Sequence, residues 1–139
     1  MKIIRRYTSN PPENISRIIR LALGNIKLAF DFIEEDALAR RDQAIDYLRK
    51  AVVIEKSHEL INNIQAITAS RDRRNMTLLL FFLLTWFHDA LQLKLNPTQT
   101  DYLINSDVND KLKGFIQGYP KTDYQKVIHD TQRAIQDLE

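Results

Sequence analysis

Met76-Thr77-Leu78-Leu79-Leu80-Phe81-Phe82-Leu83-Leu84-Thr85-Trp86-Phe87 is a run of twelve residues without a charge, and it contains the only tryptophan of the chain. Arg71-Asp72-Arg73-Arg74 precedes this run, and His88-Asp89 follows it. Because a membrane-spanning helix needs about 20 apolar residues, we interpret the run as too short to cross a bilayer. The sequence therefore predicts a helix buried on most of its circumference, with other helices, from this chain or from a partner chain, packed around it.

The composition favours helices throughout. The chain has 139 residues, which fits one domain, and 44% of them are hydrophobic, which is enough for a core. Only three glycines and four prolines occur, and no long run alternates apolar and polar residues as a half-buried strand would. We therefore predict an all-α fold, an antiparallel helical bundle.

Charge and cysteine content exclude several classes of function. A formal net charge of +2 is too small to indicate nucleic-acid binding by itself. The chain has no cysteine, so disulfides, thiolate metal sites and cysteine nucleophiles are excluded. Three scattered glycines cannot form a phosphate-binding loop. Met1-Lys2-Ile3-Ile4-Arg5-Arg6 lacks the apolar stretch of a secretory signal, so a cytoplasmic protein is expected.

Two short helices are predicted to meet at a glycine corner. Asn10-Pro11-Pro12-Glu13 is typical of a helix start, Gly24 of a helix end and Asn25 of the next cap. The pair is weak as a DNA-binding helix-turn-helix, because Lys27 is the only base of its second helix, which ends in Glu34-Glu35-Asp36. The residues predicted to face inward are Ile15, Ile18, Ile19 and Ala22, then Ile26, Ala29, Phe30 and Ile33.

No glycine or proline interrupts residues 37–69, which predicts one bent helix or two. The apolar stripes there consist of Leu38, Ile45, Leu48 and Val52, then Leu60, Ile61, Ile64 and Ile67. The bases that lie mostly off the first stripe are expected on a solvated face; they are Arg40, Arg41, Arg49 and Lys50.

The central helix is predicted to start near Asp72 or Asn75 and to reach Leu95, because Asn96-Pro97 disfavours its continuation. Ser106 or Asp107 is predicted to cap a following helix that stops at Gly118-Tyr119-Pro120. The last helix is predicted to start with a capping box at Thr122-Asp123-Tyr124-Gln125. The inward residues of these two helices are predicted to be Val108, Leu112, Phe115 and Ile116, then Tyr124, Val127, Ile128, Ala134, Ile135 and Leu138.

Two groups of side chains suggest chemistry. His58, the pair His88-Asp89 and Asp130 follow the order used by helical metal-dependent phosphohydrolases, in which imidazole and carboxylate hold a divalent metal that activates water. This reaction is one alternative function. Arg71, Arg73 and Arg74 form the best basic patch, which either contacts phosphate or an acidic partner or is simply the charged surface of a helix start.

Two stretches resemble bacterial clamp-loader subunits. Ala22-Leu23-Gly24-Asn25-Ile26-Lys27-Leu28-Ala29-Phe30 is similar to the helix-turn-helix that closes the small lid domain of AAA+ clamp-loader subunits, where an Ala-x-Gly-Asn/Ser turn leads into a helix bearing an alanine. Leu83-Leu84-Thr85-Trp86-Phe87-His88-Asp89-Ala90-Leu91-Gln92-Leu93-Lys94 is similar to the collar helix of the DNA polymerase III delta-prime subunit, with His88 where that family more often has arginine. The residues that carry the resemblance are Gly24, Asn25, Ala29, Trp86, Asp89 and Lys94.

The resemblance implies the carboxyl-terminal part of a delta-prime type subunit, with lid-domain helices over residues 1–35 and a helical collar over residues 36–139. It implies a protein without catalysis or cofactor that joins other clamp-loader subunits in the ring that loads the sliding clamp, and that meets DNA only through the complex. Lys27 falls where ATP-binding relatives place a sensor arginine, and we interpret it as a relic or a surface lysine. Asp89 would then have a structural role, and an unrelated helical adaptor is a second alternative function.

Overall fold

The computed structural model describes residues 12–51 and 73–138, and all regular elements in these ranges are helical. The all-α prediction is confirmed for this part of the chain. The helices are α1 (Pro12–Leu21), α2 (Ile26–Glu34), α3 (Ala37–Ala51), α4 (Arg73–Leu95), α5 (Asn109–Gly118) and α6 (Tyr124–Leu138), with a 3₁₀ turn at Ser106–Val108 before α5. Several residues of the sequence analysis lie outside the described ranges: Asn10, Pro11, Val52, His58, Leu60, Ile61, Ile64, Ile67, Arg71 and Asp72.

The helix α4 is central, as the sequence predicts, and packs against α3, α5 and α6. Lys94 near its end lies beside Tyr124 at the start of α6, and Ile135 near the end of α6 shares a cleft with Arg73 at the start of α4. These two helices are therefore antiparallel. In contrast, α3 runs in the same sense as α4, because Arg40 donates to Asn75 near the start of α4, whereas the later Ile45 belongs to the apolar cluster around Trp86. The antiparallel prediction thus applies to α4 with α6 but not to α4 with α3.

Two apolar clusters lie along α4. The first joins its amino-terminal half to α1, α2 and α3, and includes three mutually tilted rings, those of Phe32, Phe81 and Phe82. The second joins its carboxyl-terminal half to α5 and α6 around Trp86, which has no exposed surface and meets the Phe115 ring edge-on. The first cluster contains residues from both sides of the boundary predicted at residue 35, and the division into a lid part and a collar part stays a prediction.

The length of α4 bears on the question of a membrane span. The helix has 23 residues, with a mean hydropathy of 1.5 in its most apolar window, so by length and composition it is able to cross a bilayer. The helix is therefore longer than the twelve-residue uncharged run, and its length does not rule out a membrane span. This is weak evidence for a span, because the core helix of a soluble protein passes the same test and 44% of that window is buried inside the structure.

The corner between α1 and α2 forms as predicted. Leu23 and Gly24 both have positive φ angles, 54° and 79°, and the Asn25 side chain accepts a hydrogen bond from the Leu28 amide at 3.0 Å. Glycine suits such a backbone because it has no Cβ to clash with the following carbonyl. On the inward face of α2, Ala29 is buried as predicted, but Ile26 is 46% exposed and Phe32, which was not among the predicted inward residues, is 1% exposed. The cause is that Ile26 is the first residue of the helix and lies on the corner rather than over the core.

Replacing Gly24 with alanine is expected to lower the free energy of unfolding by about 1 kcal/mol, because an L-residue is strained at this φ. A Cβ at Gly24 would meet no atom within 4 Å, so the effect isolates the backbone. The control is Gly114→Ala in α5, where a Cβ also has open space and where alanine is expected to raise stability by about 0.5 to 1 kcal/mol. Urea unfolding followed by circular dichroism measures both, and a stabilising Gly24→Ala would contradict the assignment.

Two predicted caps differ in the structure. Neither Ser106 nor Asp107 caps α5, whose N-cap residue is Val108 and makes no side-chain cap hydrogen bond. The Asp107 carboxylate is bonded to Arg41, and Ser106 Oγ accepts from Arg20. The last helix is capped by Asp123, whose Oδ1 accepts from the Lys126 amide at 3.1 Å, rather than by Thr122. At the start of α6 two adjacent residues are able to cap, so the sequence pattern alone does not select one.

Candidate functional site

The segment Leu103–Asp107, between α4 and α5, is held by polar side chains from three helices. The first is Asp89 of α4, which is 3% exposed. Its Oδ1 accepts from the Ile104 amide at 2.9 Å, and its Oδ2 accepts from the Asn105 amide at 2.7 Å and from Asn105 Nδ2 at 2.9 Å. One carboxylate thus binds three N–H donors and fixes the path of the chain where it leaves the turn after α4.

Asn105 lies at the centre of this arrangement and has no exposed surface. Its Nδ2 also donates to Thr85 Oγ1 at 3.3 Å, and Thr85 in turn donates to the Phe82 carbonyl at 2.7 Å. Burial raises the pKa of Asp89 above its ordinary value of 3.8, and the three N–H donors and the neighbouring His88 only partly oppose that rise. The carboxylate is therefore kept in a dry position that serves packing.

The second helix is α3, through Arg41. Arg41 Nη1 and Nη2 donate to the two carboxylate oxygens of Asp107 at 2.8 and 2.6 Å, and Nε donates to Asp42 at 3.1 Å. Burial alone would lower the pKa of Arg41 and raise that of Asp107, but their pairing outweighs burial, so the pKa of Arg41 is raised and that of Asp107 is lowered. The prediction of a solvated Arg41 is wrong, since only 2% of it is exposed.

The third helix is α1, through Arg20. Its Nη1 donates to Ser106 Oγ at 2.8 Å and to the Leu103 carbonyl at 3.4 Å. We call Arg20, Arg41, Asp89, Asn105 and Asp107 the polar junction. Its carboxylates already accept N–H donors from this chain, so the junction positions helices and offers no open nucleophile or base.

Of the four residues of the metal alternative, His58 lies outside the described residues, and His88, Asp89 and Asp130 do not form a site. His88 is exposed beside the buried Asp89, whose oxygens are taken by Ile104 and Asn105. Asp130 is exposed on α6, and its Oδ1 lies 3.7 Å from Nδ1 of the adjacent His129. Within residues 12–51 and 73–138, no three histidine or acidic side chains are grouped as a metal would require.

The other residues singled out by the sequence are dispersed. Ala29 is buried in the first cluster, and Lys27 is exposed. Lys94 places its Nζ 5.6 Å from the centroid of the Tyr124 ring, close enough for a cation–π contact. Arg73 and Arg74 are exposed at the start of α4, and Arg74 Nε donates to Glu35 at 3.1 Å.

Sequence reasoning missed three members of the polar junction, Arg20, Arg41 and Asn105. The burial of Arg41 could have been predicted from helical spacing. It lies one turn from Ala37, Ala44 and Ile45, which are all buried. Arg20 and Asn105 had none, since their bonds join residues 16 to 86 positions apart in the chain.

Comparisons of the chain with protein families, with characterised proteins and with solved structures found no match.

Proposed function

We propose that this chain is a non-catalytic assembly module, the carboxyl-terminal part of a clamp-loader subunit of the delta-prime type, which helps to hold the loader ring together during DNA replication. The observation that carries the proposal is the role of Asp89. In the collar-like stretch it follows the aromatic residues at the position that the resemblance marks, and its carboxylate binds the backbone amides of Ile104 and Asn105.

The remaining motif residues support the same proposal, because each has a structural role. Gly24 forms the corner before α2, and Asn25 caps that helix. Ala29 of α2 is 1% exposed, and Lys94 lies against Tyr124 at the start of the last helix. A residue set used for packing suits a module whose partners are other proteins. Lys27 is exposed on α2, which supports its interpretation as a relic or surface lysine rather than a nucleotide contact.

Native mass spectrometry of the purified chain with the other clamp-loader subunits of the same organism tests the proposal. We expect a complex with defined stoichiometry at micromolar concentration, and no complex with an unrelated helical protein of similar mass. If the chain stays free when the remaining subunits assemble with one another, the clamp-loader function is ruled out and a helical adaptor with other partners replaces it.

A further inference from the structure

A cleft of about 390 Å³ lies between α2, α4 and α6. Its apolar lining comes from all three helices and includes half-buried side chains as well as buried ones. The rings of Phe32 and Phe81 meet there with centroids 6.0 Å apart. The apolar residues that line it are Leu28, Phe32, Leu78, Phe81 and Ile135.

The rim of the cleft is basic. Arg73 and Arg74 line it, and both are exposed. Arg74 forms an ion pair with Glu35, whereas Arg73 has no acidic partner among the residues that the structure describes. Counted over the described residues, two guanidinium groups against one carboxylate leave the rim with a net positive charge, directly beside apolar surface.

We propose that this cleft binds an acidic peptide segment of a partner protein, which places apolar side chains against Phe81 and Ile135 and a carboxylate against Arg73. Charge complementarity selects this occupant, because a basic segment would be repelled at the rim and a bare phosphate would leave the apolar lining exposed. As a contact surface for a partner subunit, the cleft rests on the function proposed above. The binding of an acidic amphipathic segment is a property of the cleft itself.

The fluorescent probe 1-anilinonaphthalene-8-sulfonate, an aromatic anion, and two synthetic peptides test this assignment. The first peptide carries leucine and phenylalanine at helical spacing with glutamate at the polar positions, and the second has lysine in place of glutamate. We expect the folded protein to bind the probe and the glutamate peptide to displace it. The lysine peptide is expected to leave the probe bound.

Arg73→Gln is expected to weaken binding of the glutamate peptide by about threefold, the scale of one exposed ion pair. Arg133→Gln is the matched control, because it removes the same charge from a part of α6 that does not line the cleft. Arg133 lies there beside His129, Gln132 and Gln136. It is expected to leave the affinity unchanged. Circular dichroism of both variants checks that the helices are retained.

Several results would overturn the proposal: equal displacement by both peptides, equal affinities of the two variants, or a folded protein that does not bind the probe because its own chain fills the cleft. Self-association in sedimentation experiments that is lost in Arg73→Gln would identify a second copy as the occupant and also reject the partner segment. If the peptide binds but the chain stays out of the loader ring, only the clamp-loader function fails.

Discussion

Replacement of Arg41 by alanine is expected to lower the free energy of unfolding by about 3 kcal/mol, because it leaves the Asp107 carboxylate without its bidentate partner. The side chains of Arg41 and Asp107 are only 3% and 11% exposed, so the two partners shield each other from solvent in the folded protein. The measurement is urea unfolding at neutral pH, followed by circular dichroism.

Arg40 provides a matched control for this prediction. It is adjacent in sequence and exposed, and its Nη1 bonds the Asn75 side chain at 2.6 Å. Arg40→Ala removes the same side chain from a solvated position and is expected to cost less than about 1 kcal/mol. The double variant Arg41→Met with Asp107→Leu is expected to recover most of the lost stability, because an apolar pair requires no desolvation of charge. Equal costs for the two arginine variants would contradict the buried pair.

The pair also predicts a dependence on pH. The pKa of Asp107 is lowered in the folded state by Arg41, so the pair stabilises the fold above the ordinary value of 3.8 and loses this contribution as pH falls through the lowered pKa. The difference in stability between wild type and Arg41→Ala should therefore shrink below pH 3.8. A difference that stays constant down to pH 2 would show that Arg41 acts through packing alone.

Much of the fold follows from local sequence. The corner at Gly24 and Asn25 depends on residue types with one strong conformational preference each, and the end of α4 depends on Asn96-Pro97. The buried face of α4 could be predicted in outline, since an apolar run that contains Trp86 must be covered whichever helices cover it. These features require no knowledge of contacts between distant residues.

The polar junction could not be predicted in the same way. Arg41 lies on the same helix face as the buried Ala44, but its partner Asp107 is 66 positions away and becomes evident only in the folded structure. The same holds for the sense of α3 relative to α4, which only the contacts between the two helices reveal. Asp89 was assigned a structural role through the family resemblance, while the amides that it binds become evident only when Ile104 and Asn105 are placed beside it.

Replacement of Asp89 by alanine is expected to lower the free energy of unfolding by about 3 kcal/mol or more. The variant deprives the Ile104 amide, the Asn105 amide and Asn105 Nδ2 of their acceptor. Each buried donor without a partner costs about 1 to 3 kcal/mol, and part of this cost is recovered when the segment rearranges or water enters. Asp89→Asn is expected to cost less, because its amide oxygen keeps one acceptor. Asp101→Ala, an exposed carboxylate in the preceding turn, is the control and is expected to change stability by less than about 0.5 kcal/mol.

The pH dependence of the Asp89 variant is expected to have the opposite sign to that of Arg41→Ala. Burial raises the pKa of Asp89 in the folded state, so the folded protein takes up this proton more readily than the unfolded chain. Wild type therefore gains stability from this group as pH falls from above the raised pKa towards 3.8, and its advantage over Asp89→Ala should grow over that range. Urea unfolding at pH 7 and pH 4 measures the change. An advantage that instead falls on acidification would mean that the three N–H donors outweigh burial, and that the charged carboxylate itself holds the segment after α4.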